Sequence, residues 1–212
     1  MRGSLVGLLA ILMVAACGPS GVTLVASSPS NVSVQSSDVP KGMSKCSQSG
    51  DVNTYLNEVK TSDPKSYTTT KAEWDQAKKD GATGAQFTFF AATKVDCSGL
   101  SKASGGAPTD KLIGSVVIQF KDSSSASKGF TSESILGFKS SDLKALGGSG
   151  FTVTEGTKTG LGANSAVVSG SFGTAIWIAV WANKAFYVIL IGFNVDTTAM
   201  GRIATAINGR IH

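Results

Sequence analysis

Few side chains in this 212-residue sequence could do chemistry, and their spacing argues against catalysis. The single histidine, His212, is the last residue, where a frayed end makes a poor general base. Without it, a serine–histidine or cysteine–histidine nucleophile has no partner. Serine–lysine chemistry needs a desolvated lysine beside the hydroxyl, and Ser44-Lys45, Ser101-Lys102 and Ser127-Lys128 are neighbours in sequence only. Asp75 and Asp80 lie on an expected solvated helix, while Asp96 and Glu155 stand apart with no motif around them. A glycosidase would need two carboxyls at a defined separation. Gly160-Leu161-Gly162-Ala163-Asn164-Ser165 opens like a dinucleotide loop. It lacks the third glycine and leads into an expected strand, not a helix N-terminus, so it reads as a turn. No catalytic residue, metal site or cofactor is expected.

One pair suggests binding. Trp177 and Trp181, separated by the small Ala179 on a shared strand face, could floor a pocket for a small apolar or sugar-like ligand. The alternative is core packing, the alanine making room for a helix between two large rings.

The N-terminus carries an address. Arg2 gives a positive start, residues 5–16 (LVGLLAILMVAA) form an apolar run too short to span a membrane, and Val14-Ala15-Ala16-Cys17-Gly18 follows. This pattern resembles the lipobox of bacterial lipoproteins, with Val14 in place of the commoner leucine. The resemblance implies a diacylglycerol thioether on Cys17 and cleavage before it, making residues 1–16 a lipoprotein signal peptide. Two or three fatty chains would hold the protein to a membrane where one would not. The expected location is the outer face of the bacterial cytoplasmic membrane or another envelope membrane. In such an oxidising compartment Cys46 and Cys97 are left as an even pair, and a disulfide is expected between them. Two separate thiols or a metal pair are the alternatives, though a metal would want more ligands. A bridge would close a loop of roughly 50 residues, worth about 4 kcal/mol in the chain-entropy model.

Residues 17–44 are expected to comprise the lipidated cysteine and a Ser/Pro/Gly segment with no aromatic residue and no persistent apolar face. It reads as a flexible tether, in which 22–26 (VTLVA) could add a short edge strand. The globular domain is expected over 45–212. A helix over 51–60 follows from the spacing of Val52, Tyr55, Leu56 and Val59. A second is expected to begin at Thr70, where Thr70-Lys71-Ala72-Glu73 fits a capping box, and to end at Gly81 with Trp74 and Ala77 inward. Strands are expected over 86–93 and 112–120, and a helix capped by Asp122 over 123–133 buries Ala126 and Phe130. Ile135, Leu136 and Phe138 fall in a connection, and Ser140-Ser141-Asp142 caps one more turn. Strands over 151–155 and 165–171 lead to the dominant stretch, 174–193, TAIWIAVWANKAFYVILIGF. Its polar Asn183-Lys184 makes it a hairpin turning at that pair and not a transmembrane helix. Trp181 would then face Phe186, and Trp177 Leu190. Asp196 caps a closing helix with Met200, Ile203, Ala204, Ile207 and Ile211 on one side.

The fold class is therefore α+β, a single domain with an antiparallel sheet of about five or six strands. Short turns favour helices packed on one face, yet both faces of the hairpin are apolar, so both should be covered. A net charge of +5 spread without a basic cluster argues against nucleic acid as a partner. A strand followed by a short Ala/Phe helix (VVIQFKDSSSASKGF) and an aromatic hairpin followed by a terminal Ala/Ile helix distantly resemble extracytoplasmic sensor-type domains of bacterial lipoproteins and receptor kinases. That resemblance implies a membrane-anchored, non-enzymatic ligand-binding or sensing domain. A structural or protein-interaction lipoprotein of the envelope is the alternative, and a hydrolase a third. Its expected partners are the membrane through Cys17 and either a small ligand or an envelope protein.

Overall fold

The computed structural model describes residues 27–94, 97, 110–132, 140–171 and 173–212. Cys17, the signal peptide, the 22–26 segment, most of the 98–110 loop, and Ile135, Leu136 and Phe138 lie outside the described residues.

Eight strands form one antiparallel sheet: β1 (Ser44–Lys45), β2 (Gly50–Asp51), β3 (Ala82–Ala91), β4 (Leu112–Phe120), β5 (Thr152–Glu155), β6 (Ser165–Ser171), β7 (Ala175–Asn183) and β8 (Phe186–Phe193). The order is β1-β3-β4-β8-β7-β6-β5, with β2 also paired to β3. The sequence suggested five or six. The two additional strands are two residues long and flank Cys46, too short to show a period of two. β3 starts at Ala82, before the expected 86, because its pairing with β4 continues through a bulge to Phe120.

Six helices are described: α1 (Pro29–Val32), α2 (Val52–Ser62), α3 (Pro64–Lys79), α4 (Ser123–Ser132), α5 (Ser140–Ala145) and α6 (Thr197–Gly209). Asp51, Asp122 and Asp196 accept first-turn amides from Thr54, Ser125, and Thr198 and Ala199, as caps should. α3 departs from expectation. It begins six residues before Thr70, because Asp63 accepts the Ser66 amide and Pro64 occupies a first-turn position that needs no donor. Thr70 is therefore interior, and the capping box is not formed. Gly81 does end the helix, with φ +100°.

The hairpin forms, but its turn is Lys184-Ala185 and not Asn183-Lys184. Asn183 remains in the ladder opposite Phe186, its amide donating to Asn208 Oδ1 at 2.9 Å, and Lys184 takes the left-handed backbone, φ 48°. Trp181 consequently faces Val188, not Phe186, and Trp177 faces Gly192, not Leu190. The shift is an even number of residues, so no side chain changes face.

Helices cover both faces of the sheet. On one, Leu56, Trp74, Ala126, Phe130 and Leu143 pack with Phe87, Ile118, Tyr187 and Ile189. On the other, Met200, Ile203 and Ile207 of the closing helix pack with Trp177, Trp181 and Leu190. Val32 and Val34 complete this second core, both buried. That corrects the domain boundary. From Ser27 the expected tether is part of the fold, because two alternating valines fill apolar surface the closing helix leaves open. Ser33 between them donates to Thr88 Oγ1 at 2.9 Å and bonds the Ser115 hydroxyl at 2.9 Å. Arg210 locks the segment, donating to both carboxylate oxygens of Asp38 and to the carbonyls of Val32 and Ser33.

Candidate functional site: a cleft beside the disulfide

Cys46 and Cys97 are bonded, their Cα atoms 5.5 Å apart. The bond sits where a loop leaves the sheet edge. Ser44 and Lys45 pair with Ala91 and Phe90, and the Cys46 amide continues the ladder to the Phe89 carbonyl at 2.9 Å. The chain then bulges outward until Gly50 and Asp51 pair with Phe87 and Gln86. Ser49 stitches the bulge down: its hydroxyl donates to the Phe89 carbonyl at 3.2 Å and accepts the Phe89 amide at 3.0 Å. The second bond satisfies a strand N–H that the bulge would otherwise orphan.

Between this loop and the chain beyond β3 lies a concave space of about 570 Å³, bounded by Lys45, Gln48, Ala91, Thr93, Lys94 and Cys97 among others. Its size is that of a small-molecule site. Gln48 is only 9% exposed. Its Nε2 donates to the Cys97 carbonyl at 3.0 Å, which fixes the amide, while its Oε1 is buried with no partner among the described residues. Lys45 and Lys94 are exposed. A buried unpaired acceptor costs about 1–3 kcal/mol, relieved by any donor that reaches it.

The tryptophan pair is divided. Trp181 is fully buried and its indole N–H has no partner, while Trp177 is 6% exposed. Trp177 borders a groove of about 190 Å³ against Thr154, Lys158, Gly201 and Ala204, which Trp181 does not reach. Both rings pack in the closing-helix core. On the opposite face Tyr187 is also fully buried with an unpartnered hydroxyl, and burial pushes its phenol upward.

The other candidates take up structural positions. Ser127 accepts from Asn164 Nδ2 at 3.1 Å, and Lys128 approaches Asp80 at 4.0 Å. Ser44 and Lys45 are both exposed; Ser101-Lys102 and Asp96 lie outside the described residues. Asp75 is partly exposed between Lys71 and Lys78, whose hydrogen bonds hold its carboxyl at about 2. Glu155 pairs with Lys144 at 2.8 Å. The Gly160–Ser165 hexapeptide follows a 3-10 turn (Gly156–Thr159) and runs into β6, so it presents no helix N-terminus. Among the described residues no cluster of three His, Cys, Asp or Glu could hold a metal, and no helix is long and apolar enough to cross a membrane.

Gln48 and Lys94 carry no sequence signal of their own. Pairing Cys46 with Cys97 was the available clue, since it brings the residues flanking each cysteine face to face.

No protein-family model matches the chain, and no curated protein matches it. Among solved structures, the extracellular domain of PknH from Mycobacterium tuberculosis is similar, with a TM-score of 0.47 over 86% of this chain and 93% of that one at 11% identity. At that score and identity no residue or role is carried across.

Proposed function

We propose that the protein is a lipid-anchored, extracytoplasmic, non-enzymatic binding domain whose ligand enters the cleft beside Cys46–Cys97. Gln48 carries this reading. A glutamine this buried, with one oxygen unpaired at a concave site, offers a ready acceptor to a ligand hydroxyl or amide. Exposed Lys45 and Lys94 at the rim favour a ligand that also carries negative charge. A hydroxyl- or amide-rich anion, such as an acidic sugar or a peptide terminus, meets both requirements. The address rests on the lipobox-like Val14-Ala15-Ala16-Cys17, and a disulfide suits an oxidising compartment.

Native mass spectrometry of the oxidised chain from Gly18 onward, produced in a bacterial periplasm, tests the site. The expected result is a bound small molecule that is lost in Gln48→Ala and retained in Trp177→Ala. The reverse pattern would move the ligand to the groove beside the closing helix. A chain that stays bare in its own envelope extract would favour the protein-interaction reading.

A further inference from the structure

The lysines that look scattered in sequence are gathered by the fold. The Phe120 amide donates to the Ala185 carbonyl at 2.7 Å, and the Lys121 amide to the Gly81 carbonyl at 2.9 Å. These two bonds bring the β4 exit, the β7–β8 turn and the end of α3 to one end of the sheet. Lys79, Lys121 and Lys184 are all exposed there, and among the described residues none of the three forms an ion pair. The Lys121 stem lies over Gly81, where a Cβ would meet its Cε at 3.1 Å. The nearby acids are engaged: Asp80 faces Lys128, and Asp122 caps α4.

The chain enters the fold at this same end. Ser27 Oγ donates to the Arg210 carbonyl at 3.0 Å, just beyond α6. Asn208, in the last turn of α6, is bonded to Asn183 at the hairpin turn. Pro29 lies under Gly84, near the start of β3. Ser27 lies ten positions after Cys17, a span of at most about 35 Å even when fully extended. The far end of the sheet, about 30 Å away along β3, also carries Lys45, Lys94 and Lys111. The entry point, not charge alone, therefore distinguishes the two ends.

We propose that the end bearing Lys79, Lys121 and Lys184 docks on an anionic lipid surface, holding the disulfide cleft on the side away from the membrane. The inference rests on Cys17 as the anchor. Three lysines would bind lipid weakly alone, but a short tether makes their encounter with headgroups intramolecular. Each is worth roughly fivefold near an anionic leaflet, or roughly 100-fold together.

The test separates the surface from the native anchor. The chain from Gly18 carries an N-terminal His-tag and is tethered to vesicles through nickel-chelating lipid. One set is phosphatidylcholine, and the other contains about one-third phosphatidylglycerol. Amide hydrogen exchange is read at 79–81, 121–122 and 184–185. The expected result is slowed exchange there on the anionic vesicles only, lost in Lys79→Gln/Lys121→Gln/Lys184→Gln and at high salt. Equal exchange on both vesicles, or protection that survives the triple substitution, would overturn the proposal. The intact mass of the protein from bacterial membranes separately reads whether Cys17 carries lipid, so failure of the anchor and failure of the docking face are told apart.

Discussion

The two faces of the sheet are sealed by different means. One is covered by α2 to α5, helices that follow or precede their strands closely in sequence, with a covalent bond at its rim. The other is covered by segments 27–34 and 195–211, more than 160 residues apart, and is fastened by hydrogen bonds around Arg210. A disulfide acts mainly by restricting the unfolded chain, whereas the Arg210 clamp acts only in the folded state. The faces should therefore fail differently. Losing the covalent bond should lower global stability, while losing the clamp should release an arm.

The largest effect is expected from Cys46→Ala/Cys97→Ala. With the cysteines 51 positions apart in sequence, the chain-entropy model gives a loss of about 4 kcal/mol. Urea unfolding of the native and substituted chains measures it, with a lower midpoint and protection lost on both faces together. A loss below about 1 kcal/mol would mean that the unfolded loop is already restrained, and the contrast between covalent and non-covalent sealing would lapse.

Arg210→Ala comes next, at about 2 kcal/mol. The Asp38 carboxylate, only 8% exposed, would keep the Gln35 amide but lose both guanidinium bonds. Hydrogen exchange should rise at Val32, Ser33 and Val34 while the β4–β8 pairing stays protected. Arg210→Lys should rescue little, because an ammonium cannot hold a carboxylate and two carbonyls in one planar fork. Uniform loss of protection would show that the arm and the sheet unfold as one unit.

The same contrast explains what could be read from sequence. β4 and β6 have the expected bounds, and the closing helix follows its Asp196 cap, because each carries a dense pattern in a short span. The N-terminal arm was illegible: Val32 and Val34 are too few for a periodic signal, and their cover exists only once α6 has folded against β7 and β8. α3 was misplaced because a plausible box at Thr70 competed with Asp63-Pro64, and the earlier start satisfies more of the chain. Alternation showed that Trp177 and Trp181 share a face, but not which ring would border a groove, since that depends on where α6 and the β5–β6 turn lie. The cleft was hidden for a similar reason. Gln48 matters only because a bulge and a disulfide bring it under Cys97.

Acid should distinguish the two faces most gently. Asp51 and Asp122 are held below the ordinary carboxyl value by the backbone amides of Thr54 and Ser125, and Asp75 is held at about 2 by its bonds from Lys71 and Lys78. All three serve helices α2, α3 or α4. A carboxyl with a depressed folded pKa contributes stability that is complete above its unfolded value, near ~4, and is lost as pH falls through the folded one. Burial raises the Glu73 carboxyl, which works in the opposite sense and offsets part of this loss. Between about pH 4 and pH 2 the melting temperature should fall modestly, with amides of α2 and α4 exposed before those of α6. Exchange measured along that pH series gives the order directly. If α6 opens first, the carboxyl network is not what limits the helix-covered face, and the N-terminal arm with its clamp is the weaker seal in acid.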